Sequence, residues 1–102
     1  EILAPDEVTP QEPLCILAHG AGNDMNSPFL STITQYLEYK RINTLRFNFP
    51  YKTAGKKAPD SSPVLEETWK RVIDWTGKNI EHNGLFIGGK SMGGRIASMV
   101  AA

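Results

Sequence analysis

Residues 85–97 read Leu85-Phe86-Ile87-Gly88-Gly89-Lys90-Ser91-Met92-Gly93-Gly94-Arg95-Ile96-Ala97. Three apolar residues run into two glycines, which suits a short buried strand. From Met92 onward, Ile96, Met99 and Val100 recur at helical spacing. Gly93, Ala97 and Ala101 form a second row of small residues that lets a helix lie close on a sheet. Between strand and helix stands Gly89-Lys90-Ser91-Met92-Gly93, the pattern G-x-S-x-G. A serine at such a strand-to-helix turn takes a strained backbone conformation that lifts its hydroxyl over the sheet edge. The residues two positions either side must be small, and here they are Gly89 and Gly93. The Met92 N–H then lies at a helix N-terminus, where it can donate to a developing oxyanion. With nine glycines in 102 residues, chance alone yields about 0.05 such matches in a chain of this length. The placement between strand and helix is therefore the stronger signal.

Working outward, Leu14-Cys15-Ile16-Leu17-Ala18 is another unbroken apolar run, stopped by His19-Gly20-Ala21-Gly22. Ser27-Pro28 offers an N-cap and a first-turn proline for a helix ending near Lys40, with Phe29, Leu30, Ile33 and Leu37 at helical spacing. Thr44 to Phe49 alternates as a strand that Pro50 ends, and Tyr51 to Asp60 reads as a loop. Ser62-Pro63 repeats the cap signal for a helix whose apolar face is Leu65, Trp69, Val72, Ile73 and Thr76, with Gly77 as its stop. Glu66/Lys70, Glu67/Arg71 and Lys70/Asp74 offer ion pairs on the other faces. Strand and helix thus alternate three times, which predicts an α/β fold with three parallel strands and crossover helices. Residues 1–13 read as an extended lead-in with a short strand at Ile2 and Leu3, and residues 14–102 as one domain. Ligands in such sheets bind beyond the carboxyl ends of the strands. Both glycine-rich turns lie there, and the His19–Gly22 turn would supply a second oxyanion donor, Ala21 N–H first and Gly22 N–H as the alternative.

Three segments in order, L-A-H-G-A-G-N-D-M-N-S-P-F (17–29), L-R-F-N-F-P-Y (45–51) and G-G-K-S-M-G-G-R (88–95), resemble the predicted α/β-hydrolases related to dienelactone hydrolase. That group includes the testis-expressed protein 30 and KAT8-complex subunit 3 type domains. The resemblance implies a partial α/β-hydrolase fold, a serine nucleophile at Ser91, and oxyanion donors at Met92 and Ala21. It implies no substrate beyond an ester, thioester or amide. Dienelactone hydrolase has cysteine at the nucleophile position and this chain has serine, so the likeness carries over at the level of fold and elbow. In this fold the triad runs serine, acid, histidine along the chain. Only 11 residues follow Ser91, and none is Asp, Glu or His. His19 belongs to the oxyanion turn, and His82 precedes the third strand at the opposite sheet end, so neither is placed as the base. The expectation is an N-terminal part of one domain, stopping after the elbow helix, with roughly 60 or more residues still to come. Loss of the base costs on the order of a million-fold in rate, so the 102 residues alone should be inactive. Three strands with open edges also bury little, which predicts instability or self-association without the missing part.

The composition narrows the remaining classes. Lys and Arg balance Asp and Glu at 11 each, so overall charge gives no reason to expect nucleic acid or an anionic membrane as partner. No apolar run reaches bilayer-spanning length, and the acidic start, Glu1 to Pro13, has no signal-peptide character. The single cysteine, Cys15, fits a reducing, cytoplasmic setting and reads as a small core side chain. No cluster has metal-ligand spacing, and neither metal nor cofactor is expected. The partner expected is a small-molecule or acyl substrate.

Two other readings compete with the hydrolase. Gly84-Leu85-Phe86-Ile87-Gly88-Gly89-Lys90-Ser91 also satisfies G-x-x-x-x-G-K-S, a phosphate-binding loop, but would need Leu85–Ile87 to be loop rather than strand. A hydrolase scaffold that serves only as an interaction module is the second. Lys40, Arg41, Arg46, Lys52, Lys56 and Lys57 make a basic stretch with interleaved aromatics. It resembles a single-strand nucleic-acid surface but reads more simply as core aromatics beside a solvated loop. Tyr51, Lys52 and Lys56 could also rim the site. Lys90 and Arg95 are expected in surface or structural ion pairs. Asn23 and Asp24 either line the pocket or fix the turn through local hydrogen bonds. Trp69 and Trp75 read as helix packing, with Trp75 off the main apolar face.

Overall fold

The computed structural model describes residues 2–3, 12–21, 24–56, 58–80 and 83–101. The elements in chain order are β1 (Ile2–Leu3), β2 (Leu14–Ala18), α1 (Pro28–Tyr39), β3 (Asn43–Phe47), α2 (Pro50–Thr53), α3 (Ser62–Asn79), β4 (Leu85–Gly89) and α4 (Met92–Ala101). They form one sheet in the order β1-β3-β2-β4. Strands β2, β3 and β4 are parallel, with Ile16 level with Leu45 on one side and Ile87 on the other, and β4, which its apolar run predicts to be buried, is half-exposed with Phe86 open to solvent. The short β1 runs antiparallel to β3.

Side-chain alternation along β3 sorts the layers. Phe47 meets Trp69 of α3 edge-on, with ring centroids 4.9 Å apart. Arg46, its neighbour in sequence, reaches Ser31 of α1. Helices α3 and α1 therefore cover opposite faces. The larger core lies on the α3/α4 face, where Leu14, Ile16, Ala18, Leu45, Phe47, Leu65, Trp69, Ile96 and Ala97 pack together. Trp69 is fully buried, and its indole Nε1–H donates to the Gly93 carbonyl at 3.2 Å. The large α3 side chain that fills the core thus also ties down the first turn of α4.

Helix α1 begins as its residues predict: the Ser27 hydroxyl accepts from Leu30 N–H at 3.3 Å and Pro28 occupies the first turn. Elsewhere the boundaries differ from the pattern. Strand β3 stops at Phe47, and Pro50–Thr53 forms a helical turn where a loop was expected. Proline suits the first position of a helix, and the Asp60 carboxylate accepts from Tyr51 N–H at 2.9 Å within that first turn. Helix α3 starts at Ser62 without a side-chain cap from Ser61 and runs past Gly77 to Asn79. Thr76 in that last turn is fully buried with its hydroxyl donating to the Val72 carbonyl at 2.8 Å, and glycine costs a helix interior only about 1 kcal/mol. Of the expected ion pairs, Glu67–Arg71 forms at 3.2 Å, while Asp74 pairs with Lys78 at 3.0 Å instead of with Lys70. No helix among the described residues is long and apolar enough to cross a membrane. The lead-in falls mostly on residues 4–11, outside the described residues.

Candidate active site

Strand β2 is central, so the turns that follow β2 and β4 leave the sheet side by side. Ala18 is level with Gly89, and Lys90 N–H donates to the Ala18 carbonyl at 3.1 Å. The chain then reverses into α4 within two residues. Ser91 makes that reversal in the left-handed region, φ 49°, a conformation uncommon for a non-glycine residue and shared among the described residues with Arg41. The turn is crowded on both sides. A Cβ at Gly89 would stand 2.6 Å from the Ala18 carbonyl oxygen. One at Gly93 would run into the His19 carbonyl oxygen and stand 2.8 Å from that of Ala18. The obstacles are backbone atoms, which cannot swing aside. Gly88, by contrast, would meet only the Leu17 side chain at 3.8 Å, an ordinary contact.

Ser91 is exposed at the carboxyl end of the sheet and Met92 opens α4 with its side chain buried. The leading N–H groups of a helix lack partners within it, and the Met92 N–H is the first of them in α4. The phosphate-loop alternative fails here. Leu85–Gly89 is paired in register with β2 at every residue, so the segment between the glycines is strand and has no loop to wrap a phosphate.

The turn after β2 is held from β3. His19 is fully buried. Its Nε2 accepts from Phe49 N–H at 3.2 Å, which leaves Nδ1 as the protonated nitrogen donating to the Gly20 carbonyl at 2.9 Å. Both ring nitrogens are committed to the backbone, so His19 is a brace and not a base. Burial lowers its pKa below the ordinary imidazole value, and the nearby Lys52 charge acts in the same direction, against the Gly20 carbonyl and Asp24. Ala21 is exposed on this turn. Gly22, Asn23, Lys57 and His82 lie outside the described residues. Asp24 fixes the exit locally, its carboxylate accepting from Asn26 N–H at 2.8 Å. Met25 N–H donates to Asn48 Oδ1 at 2.8 Å, and the Met25 carbonyl accepts from the Arg46 guanidinium at 3.0 Å.

In sequence, Arg46 reads as part of a basic stretch and no pattern singles out Asn48. The usable signal was period: Arg46 alternates with the buried Leu45 and Phe47, so it had to face the side on which the β2–α1 turn lies. Lys90 is a second difference. Neither it nor Arg95 forms an ion pair among the described residues; the Lys90 ammonium sits 5.3 Å from the Phe29 ring centroid instead. Cys15 is partly rather than fully buried, with burial raising its thiol pKa. No group of three potential metal ligands occurs among the described residues. A cavity of about 550 Å³ lies between α2 and α3, lined by Phe47, Pro50, Val72 and Trp75 among others, and its lining includes neither Ser91 nor Ala21.

Residues 11–102 match the family profile described as an alpha/beta hydrolase domain. A search of curated proteins finds no significant match. Among solved structures, Est1E from Butyrivibrio proteoclasticus with ferulic acid bound is similar with TM-score 0.82 and 19% identity, over 99% of this chain and 41% of that one. Another structure of Est1E gives 0.80 and 19%, over 98% and 38%. An alpha-beta serine hydrolase homologue from Coxiella burnetii gives 0.78 and 24%, over 98% and 49%. The chain spans less than half the length of these solved structures. The likeness is one of fold, and it shows neither the dienelactone-hydrolase subtype nor a substrate.

Two outcomes follow from this geometry. Gly93→Ala should lower the unfolding midpoint sharply or abolish soluble expression, because its Cβ meets fixed backbone, whereas Gly88→Ala should stay within about 1 kcal/mol of wild type. Similar midpoints for the two variants would show that the close approach is not there. For His19, the neutral form is the one that fits, and the unfolded chain takes up a proton near pH 6.5. Its contribution is therefore full above about pH 6.5 and is lost as pH falls below that value. Urea midpoints should drop between pH 7 and pH 5, and His19→Gln should flatten that drop; an unchanged slope would remove His19 as its source.

Proposed function

The chain belongs to the alpha/beta hydrolase family, and we propose that Ser91 is the nucleophile of a serine hydrolase acting on a carboxylic ester, thioester or amide. The observation that carries this reading is the strained turn: Ser91 at φ 49°, between a strand and a helix, with glycines where a side chain would strike backbone. Strain that the surroundings enforce on a serine is what a displayed nucleophile requires.

In this mechanism Ser91 Oγ attacks the substrate carbonyl carbon and gives its proton to a histidine base. The carbonyl electron pair moves onto oxygen, where the Met92 and Ala21 N–H groups stabilise it. Collapse expels the alcohol, thiol or amine, which takes the proton from the imidazolium. Water then repeats the sequence on the acyl-serine and releases the carboxylic acid. The histidine and its acid come, in this proposal, from sequence following Ala102, since no Asp, Glu or His lies between Ser91 and Ala102 and His19 is engaged elsewhere. Residues 14–102 accordingly act as the nucleophile-bearing part of one domain and lack turnover without the rest. That a neighbour of this fold holds ferulic acid, a carboxylic acid of the kind ester hydrolysis releases, supports the substrate class. A small acyl substrate, without cofactor, and a cytoplasmic location complete the reading.

The test is active-site labelling of the intact polypeptide with a fluorophosphonate, read by peptide mass spectrometry. The expected adduct is on Ser91, absent in Ser91→Ala and not formed by the 102 residues alone. A folded, intact polypeptide that takes no adduct would favour the non-catalytic scaffold.

A further inference from the structure

The turn that carries Ala21 is anchored by β3 and the residues just after it, not by the strand from which it springs. Arg46 lies on the face of β3 turned toward α1, half-buried, and its guanidinium reaches two neutral oxygens, the Met25 carbonyl at 3.0 Å and the Ser31 hydroxyl at 3.2 Å. No carboxylate pairs with it among the described residues. Two residues on, Asn48 Oδ1 accepts from Met25 N–H at 2.8 Å. The backbone of one buried residue is thus gripped on both its donor and its acceptor by side chains from a single strand end. Phe49 N–H holds the other end of the turn through His19. Three of four consecutive residues, 46, 48 and 49, therefore fix entry and exit of the same turn.

We infer that Arg46 and Asn48 are positioning residues of the candidate oxyanion site, holding the β2–α1 turn so that Ala21 N–H stands opposite Met92 N–H. The inference rests on the reading of Ser91 as nucleophile. A donor aimed at an oxyanion works only at the right place, and displacement by about 1 Å costs on the order of 100-fold in rate. Neither Arg46 nor Asn48 touches substrate in this account. They act through the Met25 backbone, and Arg46 adds a second point of hold in the first turn of α1.

The experiment compares Arg46→Ala, Arg46→Lys, Asn48→Leu and Asn48→Asp in the intact polypeptide. Steady-state hydrolysis of p-nitrophenyl acetate gives kcat and KM, and amide hydrogen exchange follows residues 20–27. Arg46→Ala and Asn48→Leu should lower kcat by roughly 10-fold to 100-fold with KM changed by less than about 3-fold. They should also speed exchange in that segment. Arg46→Lys keeps one donor and Asn48→Asp keeps the acceptor for Met25 N–H, so each should recover much of the loss. Should Arg46→Ala fail to fold, the near-isosteric Asn48 pair decides. Folded variants with wild-type kcat and wild-type exchange overturn the inference. So does a loss of activity that tracks the unfolding midpoint and is not rescued by the conservative variants. A wild-type protein inert toward both ester and fluorophosphonate defeats the nucleophile reading instead, and the exchange rates then still decide whether Arg46 and Asn48 hold the turn.

Discussion

The close approach of the β4–α4 turn to the backbone of Ala18 and His19 is the constraint on which the rest of this structure depends. Two chain segments meet there with no room for a Cβ at Gly89 or Gly93. Because the parallel register sets Ala18 beside Gly89, the approach is fixed by the sheet itself and not by a flexible loop. A reversal that tight forces Ser91 into the left-handed region. The strain is of order 1–3 kcal/mol for such a residue, small against the packing that surrounds it. Trp69 supplies much of that packing, filling the core under the sheet and hydrogen-bonding the same Gly93 whose missing side chain permits the contact.

The same contact joins the two turns. The His19 carbonyl crowds Gly93, while the His19 ring braces the turn that carries Ala21. Residues that look unrelated in sequence, a histidine at 19, an arginine at 46, an asparagine at 48 and glycines at 89 and 93, therefore converge on one sheet edge. In the proposed mechanism a helix N-terminus and a loop N–H share a target without either being held by the target itself. That is the meaning of preorganisation at a site where charge develops.

Much of this was legible in residue order. Unbroken apolar runs at Leu14–Ala18 and Leu85–Ile87 specified parallel strands, but of the two only β2 is buried, β4 leaving Phe86 exposed, and Ser27-Pro28 marked the start of α1. The elbow was legible because glycine spacing around a serine reports a steric requirement directly. What was not legible depended on distant partners. The Pro50–Thr53 turn has the Asp60 carboxylate, nine residues on, accepting from Tyr51 N–H, and α3 passes Gly77 with Thr76 buried by tertiary packing. Arg46 read as part of a basic stretch because charge is visible in one dimension, whereas the Met25 carbonyl it grips is 21 residues away. The engagement of His19 with the Gly20 carbonyl and Phe49 N–H likewise could not be read from spacing.

In the proposed mechanism the two turns present the Met92 and Ala21 N–H groups to one oxygen bound at Ser91. A crystal structure of the intact protein carrying a phosphonate adduct on Ser91 tests it most directly. The expected result is a phosphoryl oxygen within about 2.7–3.1 Å of both nitrogens, with Ser91 still at positive φ. An adduct whose oxygens face solvent, or are held by other donors while Ala21 stands apart, would contradict it.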